Sequence, residues 1–452
     1  MRFRPRVPIR DHTGTGGGIL PREAHAGRIS PAAGGSFRTR PELKMRLAFV
    51  AYEFPPDTGG GGIGTYLEQV SRYFSASGHD VHIFAGTRET TARVERNLPT
   101  LTVHRLPCAD SPAFRNAVVA PFLAEHSRQP FDILEAADFD APALDLQHRL
   151  PDLACVVKLH TPRFFVEELN HTSPSRLQML RIHLGAWRRG RLHRPEAIRS
   201  DAAAQAELAT LQAAHLVSAP SHAIAEAAEG WLPGLRARVE ILPLPFDPSS
   251  ALLRIPITSS TGRVTFLGRL EERKGIVDLI DAVKLVLARV PQARFCIVGR
   301  SMPHSSGESM QAFLEGRLGR SRHAVEFTGA VSPPKIPFIL AETDVLAVPS
   351  HWESYGLVCC EAMAAGRPVI GGARGGMAEI LEHGNCGKLV EPRQPGELAS
   401  LIIRLLEDPV ERERLGTAGR ARVLRDFSLP RIAEAQLASY RRAMDNRLRL
   451  SR

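Results

Sequence analysis

The chain has 452 residues, 43% of them apolar, 23% charged and 6% aromatic. That length suits two or three domains with ample core, and the composition excludes a fibrous, collagenous or wholly disordered protein. No stretch approaches the ~18 uninterrupted apolar residues of a membrane-spanning helix, so the expectation is a soluble or peripheral protein.

Charge is unevenly distributed. The 58 Lys and Arg against 48 Asp and Glu give +10. Residues 1–44 hold eight Arg and one Lys against Asp11, Glu23 and Glu42, which places +6 of the excess there. Seven Gly, five Pro and no periodicity over the same stretch predict a disordered basic extension. It lacks the apolar region of a secretory signal. Such a tail suits nucleic acid or an anionic membrane; the simpler reading is an unstructured extension, or a start placed ahead of the true one at Met45. The expected partners accordingly include no nucleic acid. The cysteines at 108, 155, 296, 359, 360 and 386 form no C-x-x-C pair. They read as core residues of a reducing, cytoplasmic protein.

From Met45, short β-rich runs alternate with helical stretches, the pattern of a doubly wound α/β parallel sheet. Strands are expected at Leu47–Ala51, Val81–Ala85, Leu101–Leu106, Asp132–Glu135, Ala154–Leu159 and His215–Ala219. Between the first two, Ile63, Leu67, Val70 and Phe74 recur at helical spacing. The text turns Pro/Ser/Thr-rich over Leu242–Arg263, a linker composition and the expected domain boundary. The alternation then restarts, with strands at Val264–Leu267, Arg294–Val298, Val325–Thr328, Val345–Val348, Pro368–Gly371 and Lys388–Val390. Ile276, Leu279, Ile280, Val283 and Leu287 form one helical face. The expected division is therefore 1–44 as extension, with 45–245 and 262–427 as two successive Rossmann-like α/β domains. A C-terminal helix and tail over 428–452 are expected to pack back toward the N-terminal domain. A ligand cleft would lie at the carboxyl ends of both sheets.

Three motifs bear on chemistry. Gly59–Gly64 contains G-x-G-x-x-G, yet seven residues separate it from its strand and no acid ends the second strand, because Asp80 precedes that strand. A dinucleotide site is therefore disfavoured, while bare N–H groups at a helix start suit an anionic or sugar ligand. Gly268-Arg269-Leu270-Glu271-Glu272-Arg273-Lys274-Gly275 follows a strand and opens a helix, so Arg269 and Lys274 can meet a pyrophosphate backed by the helix dipole. His351 to Ile370 places Glu353 on a loop and Glu361 a turn into the next helix, where a carboxylate suits a ribose diol. Glu361 among Val, Cys and Met would be costly without a partner.

Together with Gly375-Gly376-Met377-Ala378-Glu379, these elements resemble the retaining glycosyltransferases of family 4, over roughly residues 45–430. Their fold is GT-B, two Rossmann-like parallel-sheet domains facing across a cleft. The resemblance implies that Arg269 and Lys274 bind the donor diphosphate, that Glu361 holds the ribose hydroxyls, and that Glu353 contacts the donor sugar. His160, on a strand-end loop of the first domain, would be catalytic with Glu353. Gly62 and Gly64, Tyr355, Gly356 and Leu357, and Gly375 and Gly376 would complete the donor site. Ala378 stands where the family commonly has Pro, and Leu242 to Asp247 replaces a Pro-Asn-Gly-Val-Asp type segment.

The implied activity is transfer of a sugar from a nucleoside-diphosphate donor to a hydroxyl of a glycan or glycolipid, as in cell-surface polysaccharide biosynthesis. The nucleotide-sugar is a co-substrate, and neither a cofactor nor a metal is expected. Asp138-Phe139-Asp140 is a literal D-x-D, but it reads as a loop after its strand. Alternatives are a synthase of a soluble sugar or disaccharide phosphate, or a dinucleotide-dependent oxidoreductase at Gly59–Gly64. A segment from Arg176 to Arg199 with seven Arg suits an anionic membrane or a phosphorylated acceptor, the alternative being a solvated helical face. The expected location is cytoplasmic, with peripheral contact at the inner face of the membrane.

Overall fold

The computed structural model describes residues 44–59, 61–170 and 201–450. The basic extension, apart from Lys44, and the segment from Arg176 to Arg199 lie outside the described residues.

The apolar runs assemble two sheets. The first contains β1 (Arg46–Val50), β2 (Asp80–Thr87), β3 (Arg93–Leu98), β4 (Leu101–Pro107), β5 (Ile133–Ala137), β6 (Ala154–Lys158), β7 (Leu216–Ala219) and β8 (Val239–Ile241). Their order is β3-β4-β2-β1-β5-β6-β7-β8, parallel throughout except for β3 against β4. The second contains β9 (Arg263–Leu267), β10 (Arg294–Val298), β11 (Val325–Gly329), β12 (Val345–Val348), β13 (Val369–Gly372) and β14 (Lys388–Val390), all parallel in the order β11-β10-β9-β12-β13-β14.

Continuous apolar strands need cover on both faces, which crossover helices supply. Helix Gly62–Ala76 buries Tyr66, Leu67, Val70 and Phe74, and helix Ile276–Arg289 buries Ile276, Leu279, Ile280, Val283 and Val286. Each large apolar side chain so covered contributes about 1.5–3 kcal/mol. In each sheet the chain reverses direction of travel beside its first strand, with β1 between β2 and β5, and β9 between β10 and β12. Ligands bind at carboxyl ends near such switch points.

The sequence pattern misses two edge strands. β3 is the charged run Arg-Val-Glu-Arg-Asn-Leu, and β8 has only three residues, so neither carries an apolar signature. β5 starts one residue late and runs on to Ala137; just before it, the Asp132 N–H donates to the Arg46 carbonyl (2.9 Å) and the Asp132 carboxylate accepts the Arg46 N–H (2.6 Å). His215 stays outside β7, with Nδ1 accepting the Cys155 N–H at 3.1 Å.

The linker composition over Leu242–Arg263 also conceals order. Leu252 and Ile255 are buried, and Ser249 caps a one-turn helix, Ser250–Leu253. Arg420, Arg367 and Arg412 donate to the carbonyls of Ile255 (2.7 Å), Ile257 (3.1 Å) and Ser259 (2.8 Å). Local composition reports turn-forming residues, not the distant arginines that fix them.

The last helix, Leu429–Leu450, packs on β6 and on helix Gly62–Ala76. It answers a problem posed by Glu135, which is 3% exposed in the middle of β5. A carboxylate there is tolerable only with partners. Tyr66 donates to Glu135 Oε1 at 2.6 Å, while Gln436 Nε2 and the Tyr440 hydroxyl donate to Oε2 at 2.7 and 2.8 Å. Lys158, at the end of β6, supplies the opposing charge. Burial lowers its pKa to about 8, against the pull of Glu135. Among the described residues no helix is long and apolar enough to cross a membrane, and all six cysteines are unpaired. Replacing Gln436→Met removes a donor from a buried carboxylate and is expected to lower stability by about 1–3 kcal/mol in urea denaturation; an unchanged midpoint would contradict this role for the last helix.

Candidate active site

Residues from loops at the carboxyl ends of both sheets build the site. After β9 the chain buries Leu270 (1% exposed) and makes a tight turn over Glu272–Lys274. Gly275 follows at φ +69°, where a Cβ would lie 1.9 Å from the Pro349 carbonyl oxygen. Only glycine permits that approach, which brings this loop against the one leaving β12. There Lys274 Nζ forms an ion pair with Glu353 Oε2. Arg269 is 46% exposed, with Nη2 3.3 Å from Glu271 Oε1.

Glu353 is held through its backbone as well. Its carbonyl accepts the Gly376 N–H at 2.7 Å, and a Cβ on Gly375 (φ +87°) would lie 2.2 Å from the same oxygen. Gly356, also at positive φ, begins helix Leu357–Ala364. Thus the structure gathers Arg269, Lys274, Glu353, Gly356, Leu357, Gly375 and Gly376 around two neighbouring loops. Gly62 faces them from the first half, since a Cβ there would lie 3.9 Å from Leu357 Cδ1. Gly64, two residues further along the helix, lies against Pro55.

Tyr355 turns its side chain away from these loops. Its side chain is 3% exposed and its hydroxyl donates to the Leu244 carbonyl at 3.1 Å, with its ring on Phe427. It fastens the segment after β8 and has only backbone to offer a donor.

The electrostatics separate the acids. Burial alone would raise the Glu353 pKa, but Lys274 and Arg273 beside it hold it below the usual range. Glu361, in the adjoining helix, has no such neighbour, and burial raises its pKa to about 7. His160 follows β6 with its ring edge-on to Tyr66 at 5.5 Å. Burial, reinforced by Lys158, lowers its pKa to about 3, so the imidazole is neutral at physiological pH. Its backbone N–H donates to Asp138 Oδ1 at 3.0 Å. The D-x-D carboxylates are thereby engaged within the first half, Asp140 pairing with Arg163 at 3.0 Å. Among the described residues no three His, Cys, Asp or Glu side chains converge as a metal-ligand set.

Sequence reasoning missed several participants. Glu53 lies beneath the glycine loop, where a Cβ on Gly61 would come 3.2 Å from its Oε2. Burial raises its pKa, countered by Arg269 and Arg300. Glu379 crosses between the halves, accepting the N–H groups of His222 and Ala223 at 2.9 Å each at the start of helix His222–Trp231. Beside it, Ser221 Oγ donates to the Ser354 carbonyl at 2.7 Å, and Phe165 packs edge-on to Trp352 at 4.8 Å. The only local signal was the acid in Gly-Gly-Met-Ala-Glu. A cavity of about 500 Å³ lined by Arg263, Arg294, His323 and Glu342 lies instead at the amino ends of β9 and β10, the wrong end of an open α/β sheet for its ligand.

Family comparisons give this geometry its identity. Residues 60–250 match the model described as Glycosyltransferase Family 4, and residues 255–422 match Glycosyl transferases group 1. Together they span most of the chain. It belongs to the family 4 glycosyltransferases. The oxidoreductase alternative at Gly59–Gly64 therefore falls. A glycogen synthase of Mycobacterium tuberculosis is 27% identical over 430 residues, 88% of this chain and 94% of the relative. A D-inositol 3-phosphate glycosyltransferase of Nocardioides is 32% identical, over 44% of this chain and 45% of its own. Among solved structures, sucrose-phosphate synthase from Thermosynechococcus elongatus superposes with a TM-score of 0.68 at 23% identity, over 88% of this chain and 98% of that one. The HepE protein of Anabaena in complex with UDP and glucose gives 0.60 at 20%, over 87% and 98%. These likenesses establish the GT-B fold, and the enzyme is a glycosyltransferase.

The Glu379 contact yields a test within this fold. Glu379→Ala removes two charge-assisted bonds between the halves, worth about 1.5–3 kcal/mol each. A larger radius of gyration in X-ray scattering is expected, and an unchanged radius would contradict a clamping role.

Proposed function

We propose that this glycosyltransferase moves a sugar, with retention at the anomeric carbon, from a nucleoside diphosphate to a hydroxyl of a glycan or glycolipid, as in cell-surface polysaccharide synthesis. The observation that carries the reading is the pair Arg269 and Lys274 at the end of β9, with Lys274 paired to Glu353 across a glycine contact. Cleavage of the anomeric C–O bond leaves negative charge on the diphosphate and positive charge on the sugar ring. The two cations and the helix-start N–H groups stabilise the first, each preorganised donor contributing about 3–4 kcal/mol. Glu353, kept ionised, accepts hydrogen bonds from the sugar hydroxyls. A neutral His160 serves the sugar as a hydrogen-bonding partner and not as a proton source. Glu361 takes the ribose diol. UDP and glucose bound to the HepE neighbour support a nucleotide-sugar donor.

The acceptor falls to the first half, on the His160 side, and the Arg-rich stretch from 176 to 199 would meet anionic headgroups or a phosphorylated acceptor at the inner face of the membrane. A second reading, synthesis of a soluble sugar or sugar phosphate, is favoured by the glycogen synthase and sucrose-phosphate synthase likenesses. It shares the donor site and differs in the acceptor.

A screen of UDP-, GDP- and ADP-sugars against lipid-linked and soluble acceptors separates the two. The active combination is expected to survive EDTA, and to lose about 10²-fold or more in Arg269→Ala, Lys274→Ala and Glu361→Ala. Transfer persisting in all three variants would refute the site. Glu361 gives an independent signature. With its pKa at about 7 it is half protonated at neutral pH, and ribose hydroxyls donating to it favour the ionised form, so donor binding expels a proton. Calorimetry at pH 7 in buffers of different ionisation enthalpy is expected to show that release, and Glu361→Gln to abolish it. Release persisting in the glutamine variant would assign the proton elsewhere.

A further inference from the structure

Five charged side chains alternate in sign around the proposed diphosphate position. Arg269 Nη2 is 3.3 Å from Glu271 Oε1, and Arg273 Nη2 donates to the same oxygen at 2.8 Å. Arg273 Nη1 is 3.7 Å from Glu353 Oε2, the atom paired with Lys274. The row ends in cations reachable from solvent, with Arg269 46% and Lys274 19% exposed, whereas Arg273 in the middle is 4% exposed.

Arg273 is fixed in place. Nη1 also donates to the Trp352 carbonyl at 3.3 Å, and its own carbonyl accepts the His351 N–H at 2.8 Å. Its Nε is buried without a hydrogen-bond partner, an arrangement that lowers stability. A fold that needed only packing here would do better with an apolar side chain.

A diphosphate entering the site draws on the accessible cations, Lys274 and Arg269. Lys274 turning to phosphate removes the nearest partner of Glu353 in a water-poor site, where an unpaired carboxylate takes up a proton. We propose that Arg273 is the resident counter-ion of Glu353, a positioning residue that keeps this carboxylate ionised and aimed at the donor sugar while Lys274 is engaged by the donor diphosphate. Glu271, shared between Arg273 and Arg269, extends the same row to the second phosphate ligand. The inference rests on the reading of Arg269 and Lys274 as diphosphate ligands.

The charged and titratable groups facing Glu353 are Lys274, Arg273 and Arg269 from the loop after β9, and Cys359 from helix Leu357–Ala364. With Arg273 neutralised, the acid limb of the kcat–pH profile in the donor-saturated enzyme should therefore move upward. Arg273→Met is expected to raise that limb by about one unit or more, which lowers kcat about tenfold on its acid side, with the donor KM changed far less. Arg273→Lys, which keeps the charge, is expected to restore the limb. A wild-type limb and kcat in Arg273→Met overturn the proposal. If Arg273→Met does not fold, Arg273→Lys decides: a limb at the wild-type position supports the counter-ion role, and a limb displaced upward overturns it. Lys274→Met and Arg269→Ala, titrated calorimetrically with UDP, GDP and ADP, test the underlying reading separately. Unweakened nucleotide binding in both removes the diphosphate assignment whatever Arg273 does.

Discussion

The contact between Lys274 and Glu353 is the constraint around which the second half of this enzyme is arranged. It joins the loops leaving β9 and β12, neighbouring strands at the switch point of the sheet. Such a pair requires the two backbones to approach closely, and Gly275 against the Pro349 carbonyl supplies that approach. Gly375 and Gly376 do the same from the far side, where any Cβ would strike the carbonyls of Glu353 and Ser354. Removing two charges from water is expensive unless their geometry is fixed and their remaining valences are met. The Gly376 N–H on the Glu353 carbonyl fixes the backbone, and the Arg273 guanidinium lies beside the carboxylate. Lys274 is thus held in a contact at the carboxyl end of the second sheet, with Arg273 as the next cation beside the same carboxylate oxygen.

The first half is tied to this centre by polar contacts that cross between the sheets. Glu379 caps a helix of the first half, Ser221 bonds the Ser354 carbonyl, and Tyr355 holds the Leu244 carbonyl. The last helix then returns to the first sheet and surrounds Glu135 with donors. That buried carboxylate keeps Lys158 partly basic, and Lys158 in turn disfavours charge on His160. A helix at the end of the chain therefore bears on the protonation state of His160, through Glu135 and Lys158.

Much of this was legible in the residues. The central strands declared themselves because buried parallel strands are continuous apolar runs, and the loops carrying Arg269, Lys274 and Glu353 stood out as helix-start segments, which the structure brings together through the Lys274–Glu353 pair. What escaped reading depends on distance in sequence. Glu53 matters because the glycine loop folds over it and Arg269 faces it; Gln436 matters because Glu135, some three hundred residues earlier, is buried. The direction of the Tyr355 ring was not legible because a motif position says nothing of where a ring turns, and here it packs against Phe427. Arg273 was passed over inside a charged run, the pattern of a solvated loop, although it is almost fully buried. The strands β3 and β8 were hidden for the opposite reason: edges exposed on one side need no apolar run.

The most direct test is a crystal structure with whichever nucleoside diphosphate binds most tightly. Lys274 Nζ should then lie within hydrogen-bond distance of a phosphate oxygen, with Arg269 on the same group and Glu353 left against Arg273. A diphosphate bound elsewhere, with the Lys274–Glu353 pair undisturbed, would contradict the assignment of this cleft as the donor site.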